Sequence, residues 1–322
     1  MPVISDGRKS SFLFVKILLA KIEINMWKKI VFGLMTIFLG ITLLSGCRVD
    51  LNNMGGKVRV VSTIFPFSDM AKRLGGEYVE SNVLVPAGSS PHTYEPTVSD
   101  VEKLNNADVV LVVGAGMDDW VRKMMIDSGI DEDKIVDLSK FVTLRNFNEG
   151  EEGQSVDPHY WVSPKRVLEF LDDITAKYKE VDGDNAVAYD GRLKNYTEEM
   201  TQLDAEIREV VAGYSRKEIV TLHDAFGYFA DDYGLTIAGV IEPISGSEPT
   251  AQQIEELENK IRELNVPAVY GEPQLSTKIV DSLQNDLQIK VGTLDPLGGV
   301  EARLSYVGTV KFNLTELKRN LQ

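Results

Sequence analysis

The stretch Ala186–Val210 reads AVAYDGRLKNYTEEMTQLDAEIREV and separates two similar halves of the chain. Apolar residues recur along it in alternating steps of three and four, at Ala186, Tyr189, Leu193, Tyr196, Met200, Leu203, Ile207 and Val210. This spacing predicts a helix with a narrow apolar seam, and about 28 helical residues form a rod of roughly 40 Å. Such a seam is also typical of a homodimeric coiled coil. We favour a linking helix that lies across two lobes, because strand and helix patterns resume directly after it.

The half before this helix alternates short apolar runs with helical patterns. We predict strands at Val58–Ser62, Ser81–Val85, Asp108–Val113 and Ile135–Leu138, with helices at Pro66–Leu74, Val98–Leu104 and Met117–Ile126 between them. The Asp108–Val113 run is continuously apolar after its first residue, which is typical of a parallel strand buried on both faces.

The half after the helix repeats this scheme. Strands are predicted at Glu218–Leu222, Leu235–Ile241, Val266–Tyr270 and Gln288–Leu294, and helices at Ala225–Asp232, Ala251–Leu264, Leu275–Asp286 and Ala302–Leu321. The predicted fold class is α/β, with two (β/α)₄ lobes, each built on a mainly parallel four-stranded sheet, joined by a long rigid helix. The expected boundaries are 58–183 for the N-terminal lobe, 184–213 for the linking helix and 214–322 for the C-terminal lobe.

The N-terminal segment has the pattern of a secretory signal. A basic start at Met26–Lys29 precedes the charge-free apolar run Ile30–Ser45, which is short for a transmembrane anchor. The run ends in Leu44-Ser45-Gly46-Cys47, which resembles the bacterial lipobox, where the cysteine is lipidated and becomes the mature N-terminus. We expect residues 1–46 to be a signal peptide, with translation starting at Met26, and residues 47–57 to be the lipidated Cys47 and a tether.

Composition limits the possible functions. The chain has 322 residues, a formal net charge of −15 and one cysteine, so an internal disulfide is excluded. The first 46 residues hold six basic and two acidic side chains, and the remainder is therefore even more acidic than the whole chain. Such a body repels nucleic acid, and we expect no nucleic-acid partner.

The three histidines each follow a predicted strand or precede a helix. His92 lies in a loop after the second strand, His159 lies in the stretch Asp157–Pro164, and His223 directly follows a strand. Asp295 also follows a strand, and parallel strands of open α/β sheets place ligands beyond their carboxyl ends. These residues could form one metal site, although the spacing alone also allows ordinary surface or core histidines.

The stretch Asp157–Pro164 reads Asp-Pro-His-Tyr-Trp-Val-Ser-Pro and joins this candidate ligand to the next helix. Ser163 is predicted to cap that helix and Pro164 to occupy its first position. The expected apolar face of the helix consists of Val167, Leu171, Ile174 and Tyr178.

Three segments, Ser90–Pro96, Asp157–Pro164 and Thr221–Leu235, resemble the signature segments of the zinc/manganese solute-binding lipoproteins of ABC transporters, the TroA-like family. The phrases Gly271–Gln274 and Leu294–Gly298 match as well, and the resemblance extends from about Val58 to the C-terminus. It implies two (β/α)₄ lobes, a rigid linking helix and a metal ion held between the lobes. It also implies delivery of that ion to a permease.

Carried over to this chain, the resemblance places the metal ligands at His92, His159, His223 and Asp295. Glu272 is an alternative fourth ligand or a partner that orients a histidine. Three imidazoles and one carboxylate favour Zn²⁺, with Mn²⁺ as the alternative, because manganese prefers more oxygen ligands. The chain departs from many zinc-importing relatives at Asn148–Gln154, which is acidic and contains no histidine, and at Ser163, where relatives commonly have aspartate.

The expected function is that of an extracytoplasmic solute-binding protein, a lipid-anchored monomer on the outer face of the cytoplasmic membrane. It would capture Zn²⁺ and pass it to an ABC permease with its ATPase subunit, without acting as an enzyme. Two other classes remain open from the sequence. One is a secreted three-histidine metallohydrolase with Asp295 or Glu272 as general base, and the other is an extracellular adhesin.

Overall fold

The first half of the chain forms a parallel four-stranded sheet. The computed structural model describes residues 56–147, 155–242 and 249–322, so the predicted signal peptide, Cys47 and the acidic loop lie outside the described residues. The strands are β1 (Val58–Ser62), β2 (Val79–Val83), β3 (Val109–Val112) and β4 (Ile135–Asp137), in the order β2-β1-β3-β4. All three pairings are parallel, and all four residues of β3 are buried, as expected for a strand covered on both faces.

The strand β2 begins and ends two residues earlier than the apolar pattern predicts. The predicted strand included the buried apolar residues Leu84 and Val85, which lie beyond the end of β2. Their backbone N–H groups still donate to the carbonyl oxygens of Ser62 and Thr63, at 2.9 and 3.0 Å. Burial and backbone pairing therefore continue past the regular strand.

The helices of this half are α1 (Phe65–Gly75), α2 (Val98–Asn106), α3 (Asp119–Asp127), α4 (Pro164–Val167) and α5 (Leu171–Val181). Single 3₁₀ turns occur at Gly76–Tyr78, Glu132–Lys134, Leu138–Phe141 and Tyr160–Val162. The predicted helix after Pro164 is therefore interrupted between α4 and α5. Its apolar face is nonetheless correct, since all four predicted residues are buried.

The prediction that the Ser163 side chain caps the next helix is wrong. Ser163 occupies the position before α4, with Pro164 first in the helix, but its side chain makes no capping bond. The hydroxyl instead donates to Asp232 Oδ2 at 2.8 Å. The guanidinium of Arg166 and the ammonium of Lys165 also contact that carboxylate, at 2.8 Å each. The buried carboxylate of Asp232 thus connects the junction to the second half of the chain.

After a 3₁₀ turn at Gly183–Asn185, the predicted long helix is α6 (Ala186–Ala212), with 27 residues. Its buried positions are Tyr189, Tyr196, Met200, Leu203, Ile207 and Val211. The first five belong to the predicted seam, whereas the predicted Ala186, Leu193 and Val210 are only partly buried and Val211 takes the last buried position. The helix packs against α1 and α5 of the first half and against helices of the second half. Its seam is therefore buried within the chain itself.

The second half forms another parallel sheet from β5 (Glu218–His223), β6 (Thr236–Glu242), β7 (Ala268–Gly271) and β8 (Lys290–Thr293), in the order β6-β5-β7-β8. Its helices are α7 (Gly227–Tyr233), α8 (Ala251–Glu263), α9 (Lys278–Leu287) and α10 (Tyr306–Leu321). The α/β class with two four-stranded parallel sheets and a long connecting helix is confirmed.

One large apolar core runs from the first sheet through α6 to the second. It contains Phe67 and Trp161 from the first half, Met200 from α6, and Tyr270 and Leu314 from the second half. Smaller cores cover the outer faces of the two sheets. Within residues 56–147, 155–242 and 249–322, no helix has the length and apolarity needed to cross a bilayer.

Candidate metal site

The three histidines of the chain meet at one place. His92 lies in the loop between β2 and α2, His159 directly precedes the Tyr160–Val162 turn, and His223 is the last residue of β5. One ring nitrogen from each lies within 4.8 Å of the others, and Nε2 of His92 is 2.9 Å from Nε2 of His159. His159 and His223 are buried, whereas His92 keeps exposed surface. Three imidazoles converging in this way can hold one metal ion.

Asp157 fixes the orientation of the His159 ring. Its Oδ1 atom lies 2.8 Å from Nδ1 of His159 and accepts the backbone N–H of the same residue at 2.9 Å. A carboxylate on Nδ1 favours the tautomer with its proton there, which leaves the Nε2 lone pair available to a metal. Asp157 is itself fully buried, and an ion pair with Arg145 at 2.8 Å balances its charge.

Glu272 plays the same part for His223. Its Oε1 and Oε2 atoms lie 3.1 and 3.3 Å from Nδ1 of His223. Glu272 directly follows β7, the strand that neighbours β5, so the parallel sheet brings the two residues to the same edge. Glu272 therefore contacts Nδ1 of His223, the ring nitrogen that is not needed as a metal ligand.

The loop that carries His92 is anchored two residues later. The Tyr94 hydroxyl donates to Asp100 Oδ2 at 2.7 Å, and the same carboxylate accepts the N–H and hydroxyl of Thr97 at 2.9 and 2.8 Å. Lys103 pairs with the other oxygen at 2.9 Å. These bonds connect the start of α2 to the loop, which holds the exposed histidine against the buried two.

Electrostatics keep two of the imidazoles neutral. Desolvation beside the other two rings, and then the charges that His159 and His223 can carry, lower the pKa of His92 to about 2 although the residue keeps exposed surface. Burial, followed by His223 and Arg145, places the pKa of His159 well below its ordinary value. Burial would also lower the pKa of His223, but the Glu272 carboxylate outweighs it and the net direction is upward.

Asp295 is not brought into the histidine cluster. Its Oδ1 atom accepts hydrogen bonds from the Gln274 side chain at 2.8 Å and from the N–H groups of Leu297 and Gly298 at 3.0 Å each. Its Oδ2 atom forms an ion pair with Arg303 at 2.7 Å. Its assignment as a ligand stays a prediction, and these contacts favour a structural role instead.

Gln274 lines the cavity beside the histidines, together with Ser90, Pro91, Trp161, Glu272, Leu275, Pro296 and Leu297. Its amide nitrogen donates to Asp295, which fixes the amide, while its Oε1 atom is buried without a hydrogen-bond donor among the described residues. Buried acceptors are normally satisfied, so this oxygen is available to a hydrogen-bond donor brought into the cavity. The residues present therefore suit a metal ion with three histidine ligands.

The roles of three residues at the site were not predicted from the sequence. Asp157 had a local signal, since it stands two residues before His159 with a rigid proline between them. Gln274 lay in the matching segment Gly271–Gln274, but nothing there indicated its contact with Asp295. Arg145 had no signal, because its contacts depend on how distant segments pack.

The fold and the site together define a class of protein. This is a two-lobed α/β protein in which a long helix packs against both halves and three histidines converge between two parallel sheets. The periplasmic zinc-binding protein TroA of Treponema pallidum superposes with a TM-score of 0.74 and 25% identity, covering 83% of this chain and 99% of that one.

The family follows from the sequence match. The family model described as zinc-uptake complex component A, periplasmic (ZnuA), matches residues 60–320, and the chain belongs to this family. This confirms the resemblance drawn from the signature segments.

Two curated relatives are similar over most of the chain. The high-affinity zinc uptake system protein ZnuA of Bacillus subtilis (strain 168) is 28% identical over 292 residues, which cover 86% of this chain and 92% of that protein. The zinc-binding lipoprotein AdcA of Streptococcus pneumoniae (strain ATCC BAA-255 / R6) is 26% identical over 279 residues. That match covers 82% of this chain but only 56% of AdcA.

Proposed function

We propose that this protein is the extracytoplasmic solute-binding component of an ABC importer and that it captures Zn²⁺ in the three-histidine site. The observation that carries the proposal is the convergence of one nitrogen from each of His92, His159 and His223 within 4.8 Å. Membership of a zinc-uptake family and similarity to relatives named for zinc uptake and zinc binding support the choice of cargo.

The donor set favours zinc over manganese. Imidazole nitrogen suits Zn²⁺, whereas Mn²⁺ prefers carboxylate, carbonyl and water oxygens. Two carboxylates beside the cluster, those of Asp157 and Glu272, contact Nδ1 of His159 and of His223. The site thus offers three imidazole nitrogens and, among the described residues, no carboxylate within the cluster.

The same contacts support binding without catalysis. A hydrolytic zinc site needs a carboxylate free to take a proton from the metal-bound water. Glu272 is engaged with His223, Asp157 with His159 and Arg145, and Asp295 with Arg303. The protein therefore acts as a carrier rather than an enzyme.

Delivery requires a membrane permease and its ATPase subunit as partners. We assign residues 1–46 to a signal peptide and 47–57 to the lipidated Cys47 and tether. The body then comprises a lobe at 58–183, the linking helix at 184–213 and a lobe at 214–322. The lipoprotein name of the pneumococcal relative supports the anchor. The intramolecular burial of the α6 seam supports a monomer.

The test of the cargo is metal analysis with calorimetry on the purified chain and on three single variants, His92→Ala, His159→Ala and His223→Ala. We expect one tightly bound Zn²⁺ per chain, lost or strongly weakened in each variant, and weaker binding of Mn²⁺. The exposed Gln284, on α9, provides the control substitution Gln284→Ala, which should bind like the unmodified chain. Retention of tight zinc binding by all three histidine variants would refute the proposal.

The anchor has a separate test. In cells grown with a labelled fatty acid, the chain should incorporate label, and Cys47→Ala should abolish the incorporation. Membrane association of an unlabelled chain would overturn lipidation without affecting the metal site.

A further inference from the structure

Arg145 lies directly across a short two-stranded stem from Asp157. The N–H of Asp157 donates to the carbonyl oxygen of Arg145 at 2.9 Å, and Asn146 pairs with Val156 in an antiparallel bridge. Nη1 of Arg145 reaches Oδ2 of Asp157 at 2.8 Å, while Oδ1 of the same carboxylate contacts Nδ1 of His159. One carboxylate therefore connects a guanidinium to the imidazole of a proposed metal ligand.

The other edge of this guanidinium contacts the second half of the chain. Nε of Arg145 pairs with Oδ2 of Asp231 at 2.9 Å, and Asp231 belongs to α7. The Tyr228 hydroxyl, also on α7, accepts the backbone N–H of Arg145 at 2.9 Å and donates to the carbonyl oxygen of Asp157 at 2.8 Å. Arg145 thus links the His159 side of the site with α7, which begins four positions after His223.

Gly227 leaves the space that the guanidinium occupies. A Cβ atom at this first position of α7 would overlap Nη1 of Arg145 and lie 3.0 Å from Oδ2 of Asp157. Any larger residue would displace the guanidinium from the carboxylate. The close approach of α7 to this ion pair therefore requires glycine.

The charge balance shows why the contact matters. Asp157 is fully buried, and the Arg145 side chain is only 16% exposed. Removing one partner of a buried ion pair leaves the other charge uncompensated and is strongly destabilising. Without the guanidinium, Oδ2 of Asp157 would lose the contact that fixes it, and Nδ1 of His159 would lose a fixed acceptor. Lysine could not replace arginine, because one ammonium cannot offer two separate edges to Asp157 and Asp231.

We propose that Arg145 is a positioning residue for the metal site: it holds Asp157 so that Nε2 of His159 faces the metal, and through Asp231 it couples this ligand to α7. The inference rests on the proposed function for the identity of the cargo. Opening of the Arg145–Asp231 contact would loosen His159 and speed release of the ion.

The orientation of His159 can be measured without any metal. Long-range ¹H–¹⁵N correlation spectra report imidazole tautomers. The chain has only three histidines, so variants that each lack one histidine assign the signals. In the metal-free chain we expect His159 protonated on Nδ1, with this preference lost in Arg145→Met and reduced in Arg145→Lys. The control is Arg122→Lys, which changes an exposed arginine paired with Glu132 and should leave the His159 signals unchanged.

Zinc binding provides the second readout. Chelator competition should show roughly tenfold or greater weakening in Arg145→Met, the loss typical of a missing outer-shell partner. Asp231→Asn should keep the His159 tautomer but release zinc faster in stopped-flow experiments. Unchanged His159 tautomer and zinc affinity in folded Arg145→Lys and Arg145→Met would overturn the positioning role. Unchanged release from Asp231→Asn would overturn the coupling to α7. If the unmodified chain binds no zinc but Arg145→Met still changes the His159 tautomer, only the proposed cargo is refuted.

Discussion

Nδ1 of His223 lies 3.1 Å from Oε1 of Glu272, although 49 positions separate the two residues along the chain. The contact exists because β5 and β7 are parallel neighbours and both residues stand at the carboxyl ends of these strands. A carboxylate at this nitrogen holds the proton on Nδ1 and makes the ring a better donor through Nε2. The second sheet therefore presets the tautomer of a proposed ligand before any ion arrives.

Removal of the Glu272 carboxylate should weaken zinc binding. We expect Glu272→Ala to lower zinc affinity roughly 10- to 100-fold, the range for a missing outer-shell partner. Glu272→Gln should lose less, because its amide oxygen can still accept the Nδ1 proton. Chelator competition at neutral pH measures both affinities. Wild-type affinity in both variants would show that His223 needs no orienting partner.

Asp295 should matter for stability rather than for metal stoichiometry. Asn at this position removes the negative charge opposite Arg303, and breaking a buried ion pair costs about 3–5 kcal/mol. We expect Asp295→Asn to lower the thermal unfolding temperature while still binding one Zn²⁺ per chain. Calorimetric unfolding and metal analysis give the two readouts.

Arg303→Met is the matched control for that experiment, because it breaks the same ion pair from the other side. It should lose similar stability and keep its zinc. If Asp295→Asn lost zinc without losing stability, while Arg303→Met kept zinc, Asp295 would be the fourth ligand after all.

The fold was largely predictable because its signals are local. The apolar run around β3 and the three-four spacing in α6 each lie within one continuous segment, and burial enforces both patterns. Errors arose where burial and regular hydrogen bonding diverge, as at Leu84 and Val85 beyond the end of β2.

The site was predictable only in part. The sequence placed His223 at a strand end and His92 in a loop after a strand, and the structure brings both together with His159. The partner of Asp295 could not be predicted from the sequence, because an acidic residue after a strand can face either a metal ion or a basic side chain. Here Arg303, eight positions later, reaches its Oδ2 atom. Long-range pairing of charges has no periodic signature, so the outer contacts of the site required the structure.

Met200 tests whether α6 is an intramolecular helix or a dimer seam. The side chain is fully buried against the rest of its own chain, so Met200→Ala should cost about 2–5 kcal/mol of unfolding free energy. Sedimentation velocity should find monomers before and after the substitution. Met200→Leu, which conserves volume, should cost less than about 1.5 kcal/mol. A wild-type dimer that Met200→Ala dissociates would support the coiled-coil interpretation.

Asp100 should give the loop of His92 a stability that depends on pH. Burial alone would raise its pKa, but hydrogen bonds from Lys103, Tyr94 and Thr97 outweigh burial and lower the pKa to about 2. Because the native pKa lies below the unfolded value of about 3.9, the carboxylate stabilises the fold fully above about pH 4. That stabilisation disappears as the pH falls through about 2.

The corresponding variant is Asp100→Asn, which should lower the free energy of unfolding by about 1–2 kcal/mol at pH 7, because it weakens the capping box in which Asp100 accepts the N–H of Thr97. Urea denaturation at a series of pH values should show this difference from the unmodified chain shrinking between about pH 4 and pH 2. The exposed Asp119, in the first turn of α3, provides the control Asp119→Asn, which should stay within about 0.5 kcal/mol throughout. A difference for Asp100→Asn that is constant with pH would mean that the charge of Asp100 does not anchor the loop.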